Sequence, residues 1–128
     1  MNKDIEKQYL NNASVSDMLK LIKKSCEGEL LSKKSTNYLV RIMQDTNTGQ
    51  DKLKAGLPEG VLIGHKTGSS SRKSNRIKIA DNDAGFVILP GGGVYYIAVF
   101  IQDSPMSDSE NADLIRSISQ IVYKYFVK

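Results

Sequence analysis

The sequence predicts an α+β domain: an antiparallel three-stranded sheet flanked by helices, in the order α-α-β-β-β-α. Three observations predict it. Apolar residues recur at three- and four-residue spacing near both ends of the chain, the mark of helices with one buried face. Three β-rich apolar runs lie between them, at 61–67, 84–89 and 94–102. The last two runs are joined by Pro90-Gly91-Gly92-Gly93, a turn suited to an antiparallel hairpin.

Each element has a local reason. Residues 1–12 are polar and read as a flexible, partly ordered tail. A first helix opens at Ser14, with Asp17 favouring its start, carries Val15, Met18, Leu19, Ile22 and Cys26, and stops near Gly28. A second starts from Ser32 and turns Leu39, Ile42 and Met43 toward the core. Residues 46–60 read as an irregular connection with a short helical turn near Leu53. The final helix opens with the capping box Ser107-x-x-Glu110 and buries Ile115, Ile118, Val122 and Phe126. Strands two and three are apolar on both faces: Phe86 and Ile88 oppose Val87 and Leu89, and Ile97 and Val99 oppose Ala98 and Phe100. Such strands expect cover on both sides.

With 128 residues, 40% hydrophobic and 25% charged, the chain reads as one globular domain over 1–128. Cys26 stands alone, which rules out an intrachain disulfide and suits a small core residue. No apolar run is long enough to span a bilayer, and no stretch reads as a signal peptide. The formal charge is +4, and Lys66, Arg72, Lys73, Arg76 and Lys78 cluster beside His65 without an intervening acid. This cluster reads as a solvated loop or as an anion-binding rim. The pattern argues against duplex nucleic acid as a partner, because no aromatic is interleaved and no recognition helix accompanies the cations.

The most pointed feature is Lys66-Thr67-Gly68-Ser69, at the end of the strand Val61-Leu62-Ile63-Gly64. An ammonium, hydroxyls and an unobstructed backbone at one strand edge form a receptor for a carboxylate. His65, its neighbour, should point to the opposite face from Lys66 and be packed rather than act as a base.

The stretch from Leu57 to Ser70 resembles the region of the third signature motif of class A serine β-lactamases. Gly28-Glu29-Leu30-Leu31-Ser32 and Thr48-Gly49-Gln50-Asp51-Lys52-Leu53-Lys54 are similar to that family's helix-linking segments. The runs from Asp81 to Pro90 and from Tyr95 to Phe100 are similar to its last two strands, in the manner of the Bacteroidetes-type branch. The resemblance runs from about Asn12 to Phe126 and implies the carboxyl-terminal half of the fold. The implied family reaction is hydrolysis of the β-lactam ring through an acyl-serine.

By that resemblance Lys66 and Thr67 hold the substrate carboxylate, the Ser69 N–H supplies half of the oxyanion hole, and Gly68 keeps the edge open. Lys54 stands where the family has an arginine supporting the motif strand. Ile42 and Arg76 replace an aromatic and a small residue. The nucleophile and base motifs are not in their family settings: Ser70-x-x-Lys73 is a decoy in a polar turn, Ala80-Asp81-Asn82 a near miss, and Glu6 too close to the first helix. No catalytic residue, metal or cofactor is therefore expected in this chain. The expectations are a β-lactam or small carboxylate bound weakly, and a homodimer or an amino-terminal half paired through the edge strand 94–102. A non-catalytic remnant or binding domain is the alternative, and a basic nucleic-acid module a weaker one. Family members are usually periplasmic; the sequence leaves this chain's location open.

Overall fold

A computed structural model describes residues 4–128. Helix α1 spans Val15–Cys26, α2 Lys33–Gln44 and α3 Asp108–Phe126; strands β1 (Leu62–Ser69), β2 (Lys78–Ile88) and β3 (Val94–Ser104) lie between α2 and α3. Short 3-10 turns occupy Ile5–Leu10 and Leu53–Gly56. The predicted order α-α-β-β-β-α is the order observed.

The helices start where their caps dictate. The hydroxyls of Ser14, Ser32 and Ser107 accept the N–H groups of Asp17, Ser35 and Glu110 at 3.0–3.1 Å, satisfying donors that the first turn cannot. After α1 the chain turns at Gly28, whose φ of +83° is costly for a residue with a Cβ.

The sheet is an antiparallel meander, β1-β2-β3. Each strand extends past its predicted run at one end: β1 to Ser69, β2 back to Lys78 and β3 to Ser104. The largest difference is β2, which begins at Lys78 rather than Ala84 because Asp81 and Asp83 are buried in it with partners. A polar run looks like loop until those partners are known.

The two faces of the sheet are covered unequally. On one, Ile63, Val87, Tyr95, Ile97 and Val99 pack with Leu53, Ile115 and Tyr123 from the 53–56 turn and α3. On the other, α1 and α2 lie over Lys66, Gly68, Ala84 and Phe100 and leave an apolar groove of about 330 Å³ lined by Met18, Leu21, Ile22, Leu39 and Met43. No residue of α1 is fully buried, and Thr36 is the only one of α2. Ile42, expected in the core, is 45% exposed; Leu39 and Met43 beside it are half-buried. Cys26 is half-buried too, and burial, with the charge of Glu27, raises its thiol pKa.

Residues 5–10, read from the sequence as part of a flexible tail, are instead a 3-10 turn tied to the body of the domain; residues 1–3 lie outside the described residues. The Tyr9 hydroxyl donates to Asp103, and Glu6 pairs with Lys73 at 3.3 Å. Because both partners lie more than sixty residues away, neither contact is visible in local pattern.

Candidate functional site

Lys66, Thr67, Gly68 and Ser69 form the last half of β1, but strand alternation divides them between two faces. Lys66 and Gly68 border the groove beneath α1 and α2. Lys66 is exposed, and its ammonium donates to the Thr67 carbonyl. A Cβ added at Gly68 would meet nothing within 4 Å, so the backbone there is open to a ligand. Thr67 and Ser69 turn the other way. The Thr67 hydroxyl shares a hydrogen bond with that of Thr48 at 3.1 Å. The Ser69 hydroxyl donates to Asp81 at 3.0 Å and accepts from Lys52 at 3.1 Å.

A strap of chain sets this arrangement. The Thr46 hydroxyl donates to the His65 carbonyl at 2.9 Å, Thr48 meets Thr67, and Lys52 meets Ser69. Residues 46, 48 and 52 thus touch 65, 67 and 69 in order along β1. Gly49, at φ +62°, lets the strap lie against Thr67, since a Cβ there would strike its methyl group.

The cation supporting the motif strand is Lys52, not Lys54. Lys54 is exposed, whereas Lys52 is 7% exposed and reaches Asp81 at 2.5 Å as well as Ser69. The sequence carries two lysines two places apart, and only the path of the strap decides which turns inward. Asp81, opposite Ser69 in register, also faces Lys78 at 3.6 Å and accepts from Asn111 at 3.4 Å. Burial works to raise its pKa; the hydrogen bond and charge of Lys52, with Ser69 and Lys78, outweigh burial and hold it below the usual carboxylate range.

His65 faces away from Lys66 and is 1% exposed. Its Nδ1 lies 2.9 Å and 3.1 Å from the two Asp83 oxygens, and Asp83 also accepts the Leu53 N–H at 3.2 Å. Nε2 is buried without a hydrogen-bond partner among the described residues. The pair fastens β1 to β2 and to the 53–56 turn.

The basic cluster is largely neutralised from within. Arg72 donates to Asp108 and to the Met106 and Arg76 carbonyls at 2.7–2.8 Å. Lys78 pairs with Asp108 at 2.9 Å, and Lys73 with Glu6. Of the five clustered lysines and arginines, only Lys66 and Arg76 have no carboxylate partner among the described residues. An anion-binding rim of all five is therefore not what forms.

Ser70 and Lys73 do not act on one another. The Ser70 hydroxyl donates to the Ser71 carbonyl and accepts the Ala80 N–H, both at 2.9 Å, while Lys73 sits over the Tyr9 ring. Asn82 accepts the Ile101 N–H inside the sheet at 3.1 Å. Among the described residues, no three His, Cys, Asp or Glu side chains are placed to hold a metal ion, and no helix is long and apolar enough to cross a membrane.

The sequence pattern of the beta-lactamase enzyme family matches residues 1–126. The chain belongs to the class A serine β-lactamase family. A β-lactamase of Bacteroides uniformis is 47% identical over 124 residues, which is 96% of this chain and 42% of that protein. The β-lactamase VEB-1 of Pseudomonas aeruginosa is 37% identical over 99% of this chain and 43% of its own length. Among solved structures, the class A β-lactamase of Bacteroides cellulosilyticus superimposes with a TM-score of 0.84 at 43% identity, and the TLA-1 extended-spectrum β-lactamase with 0.97 at 39%. These cover 97% and 100% of this chain but 47% and 46% of the solved ones. The chain thus spans less than half the length of the β-lactamases it matches, and its fold is the carboxyl-terminal half of theirs.

Proposed function

We propose that this chain carries the carboxylate-receiving half of a β-lactam hydrolase and does not hydrolyse β-lactams by itself. The observation that carries the reading is the open edge of β1. There Lys66 has no carboxylate partner among the described residues, and Gly68 leaves the backbone uncovered at the end of an apolar groove. A β-lactam offers a carboxylate beside an apolar body, which suits an ammonium at the mouth of such a groove.

The chemistry stops at binding. A donor aimed at developing negative charge is worth about 3 kcal/mol of barrier only when an attacking group is present. The family's serine nucleophile and its proton partners lie outside the settings this chain provides, and Ser70 and Lys73 are engaged elsewhere. An exposed ammonium–carboxylate contact contributes roughly 0–1 kcal/mol, so affinity is millimolar or weaker.

The partner in this reading is the amino-terminal half of the family fold. Its seat is the outer edge of β3, which is unpaired among the described residues, and α3 leaves Leu114, Ile121 and Tyr125 exposed. An apolar edge without a neighbour favours pairing with another chain segment. Pairing of two copies through the same edge is the competing outcome.

Titrating the chain with benzylpenicillin while following backbone amide shifts tests the site. Shifts should begin at Thr67 to Ser70 and vanish in Lys66→Ala. A chromogenic cephalosporin tests the absence of turnover; hydrolysis that disappears in Ser70→Ala would overturn it.

A further inference from the structure

Burying an ammonium is costly unless a carboxylate meets it, so the surroundings of Lys52 need a reason. Lys52 is buried, and one oxygen of Asp81 satisfies it at 2.5 Å. That same oxygen, Oδ1, takes the Ser69 hydroxyl at 3.0 Å. The ammonium of the strap and the hydroxyl of the motif strand are the donors an incoming carboxylate would seek. Asp81 already holds both.

The other oxygen, Oδ2, faces Lys78 and Asn111, which fix the carboxylate from behind. Three cations, Lys52, Arg72 and Lys78, therefore share two carboxylates, Asp81 and Asp108. Removing Asp81 would leave Arg72 and Lys78 with Asp108, and Lys52 beside Ser69 without a carboxylate.

We infer that Asp81 is a specificity-determining internal carboxylate: it occupies Lys52 and the Ser69 hydroxyl, so that a ligand anion is left with Lys66 and the open edge of β1. This rests on the reading of β1 as a carboxylate receptor, and adds that the receptor's second cation is withheld by the protein's own acid. Anion binding in the native chain is consequently weak and sits on the groove side of the strand.

The test compares benzylpenicillin titrations of the native chain, Asp81→Asn and the double variant Lys52→Met/Asp81→Asn, all followed by amide shifts. Asp81→Asn should bind about tenfold more tightly, equivalent to about 1.4 kcal/mol, with shifts spreading to Lys52. The double variant should return to the native affinity. A folded Asp81→Asn that binds no better than the native chain overturns the inference. If Asp81→Asn does not fold, the double variant decides, because both buried charges are gone: native affinity supports the inference, and weakened binding shows that Lys52 serves the ligand and overturns it. Native binding at Thr67 to Ser70 without a gain in Asp81→Asn sinks this inference alone. Absence of binding in every variant sinks the receptor reading with it.

Discussion

Truncating Ile115 and Leu21 to alanine should separate the two faces of the sheet by their cost. Ile115 is 0% exposed among Leu53, Val87 and Tyr123, so Ile115→Ala loses the transfer energy of its removed atoms and leaves a cavity, about 2–5 kcal/mol. Leu21 is 51% exposed in the groove. A fully buried leucine is worth roughly 1.5–3 kcal/mol, and half of that, less the methyl group that alanine keeps and alanine's better helix propensity, leaves about 1 kcal/mol or less for Leu21→Ala. Urea unfolding followed by far-ultraviolet circular dichroism reads both. At a slope of about 2 kcal/mol per molar, Ile115→Ala should lower the midpoint by at least about 1 M and Leu21→Ala by under about 0.5 M. Equal losses would refute the reasoning, since they would mean that the groove is closed and packed like the other face. If that closure came from a second copy, the Leu21→Ala loss would grow with protein concentration.

Other outcomes follow from single residues. The depressed Asp81 pKa stabilises the fold above the unfolded carboxyl value, about pH 4, and that contribution is lost as pH falls through the lower folded value; acid titration of stability should show this loss and Asp81→Asn should remove it. Gly85→Ala would drive its Cβ into the Gly64 carbonyl and should cost about 1–3 kcal/mol or more in urea unfolding. By contrast, Gly68→Ala meets open space and should change stability by no more than about 1 kcal/mol while weakening the benzylpenicillin shifts. Arg76 sits at φ +69°, so Arg76→Asn should raise stability by up to about 1 kcal/mol in the same assay.

Much of the scaffold is legible locally. Ser14, Ser32 and Ser107 mark three helix starts, and the glycine turn after Pro90 fixes the β2–β3 hairpin, with Leu89 N–H and Gly93 carbonyl closing it at 2.7 Å. The alternation of Lys66 with His65 correctly places the histidine on the buried face. Such features depend on a residue and its near neighbours, which is all that propensity, capping and strand alternation require.

By itself, then, the sequence determined the element order, the α+β class, the motif strand and, through spaced blocks of resemblance, the family. Tertiary structure decided which side chains the motif can spare. Lys52 rather than Lys54 supports Ser69, Asp81 closes that pair across 29 residues of sequence, and Asp108 draws Arg72 and Lys78 out of the basic cluster. It also left Ile42 half-exposed and drew residues 5–10 out of the expected tail. The physical reason is common to all of these. A charged side chain's free energy depends on which opposite charge the folded chain brings within a few ångströms and how much water is excluded there, and neither quantity is a property of its neighbours in sequence.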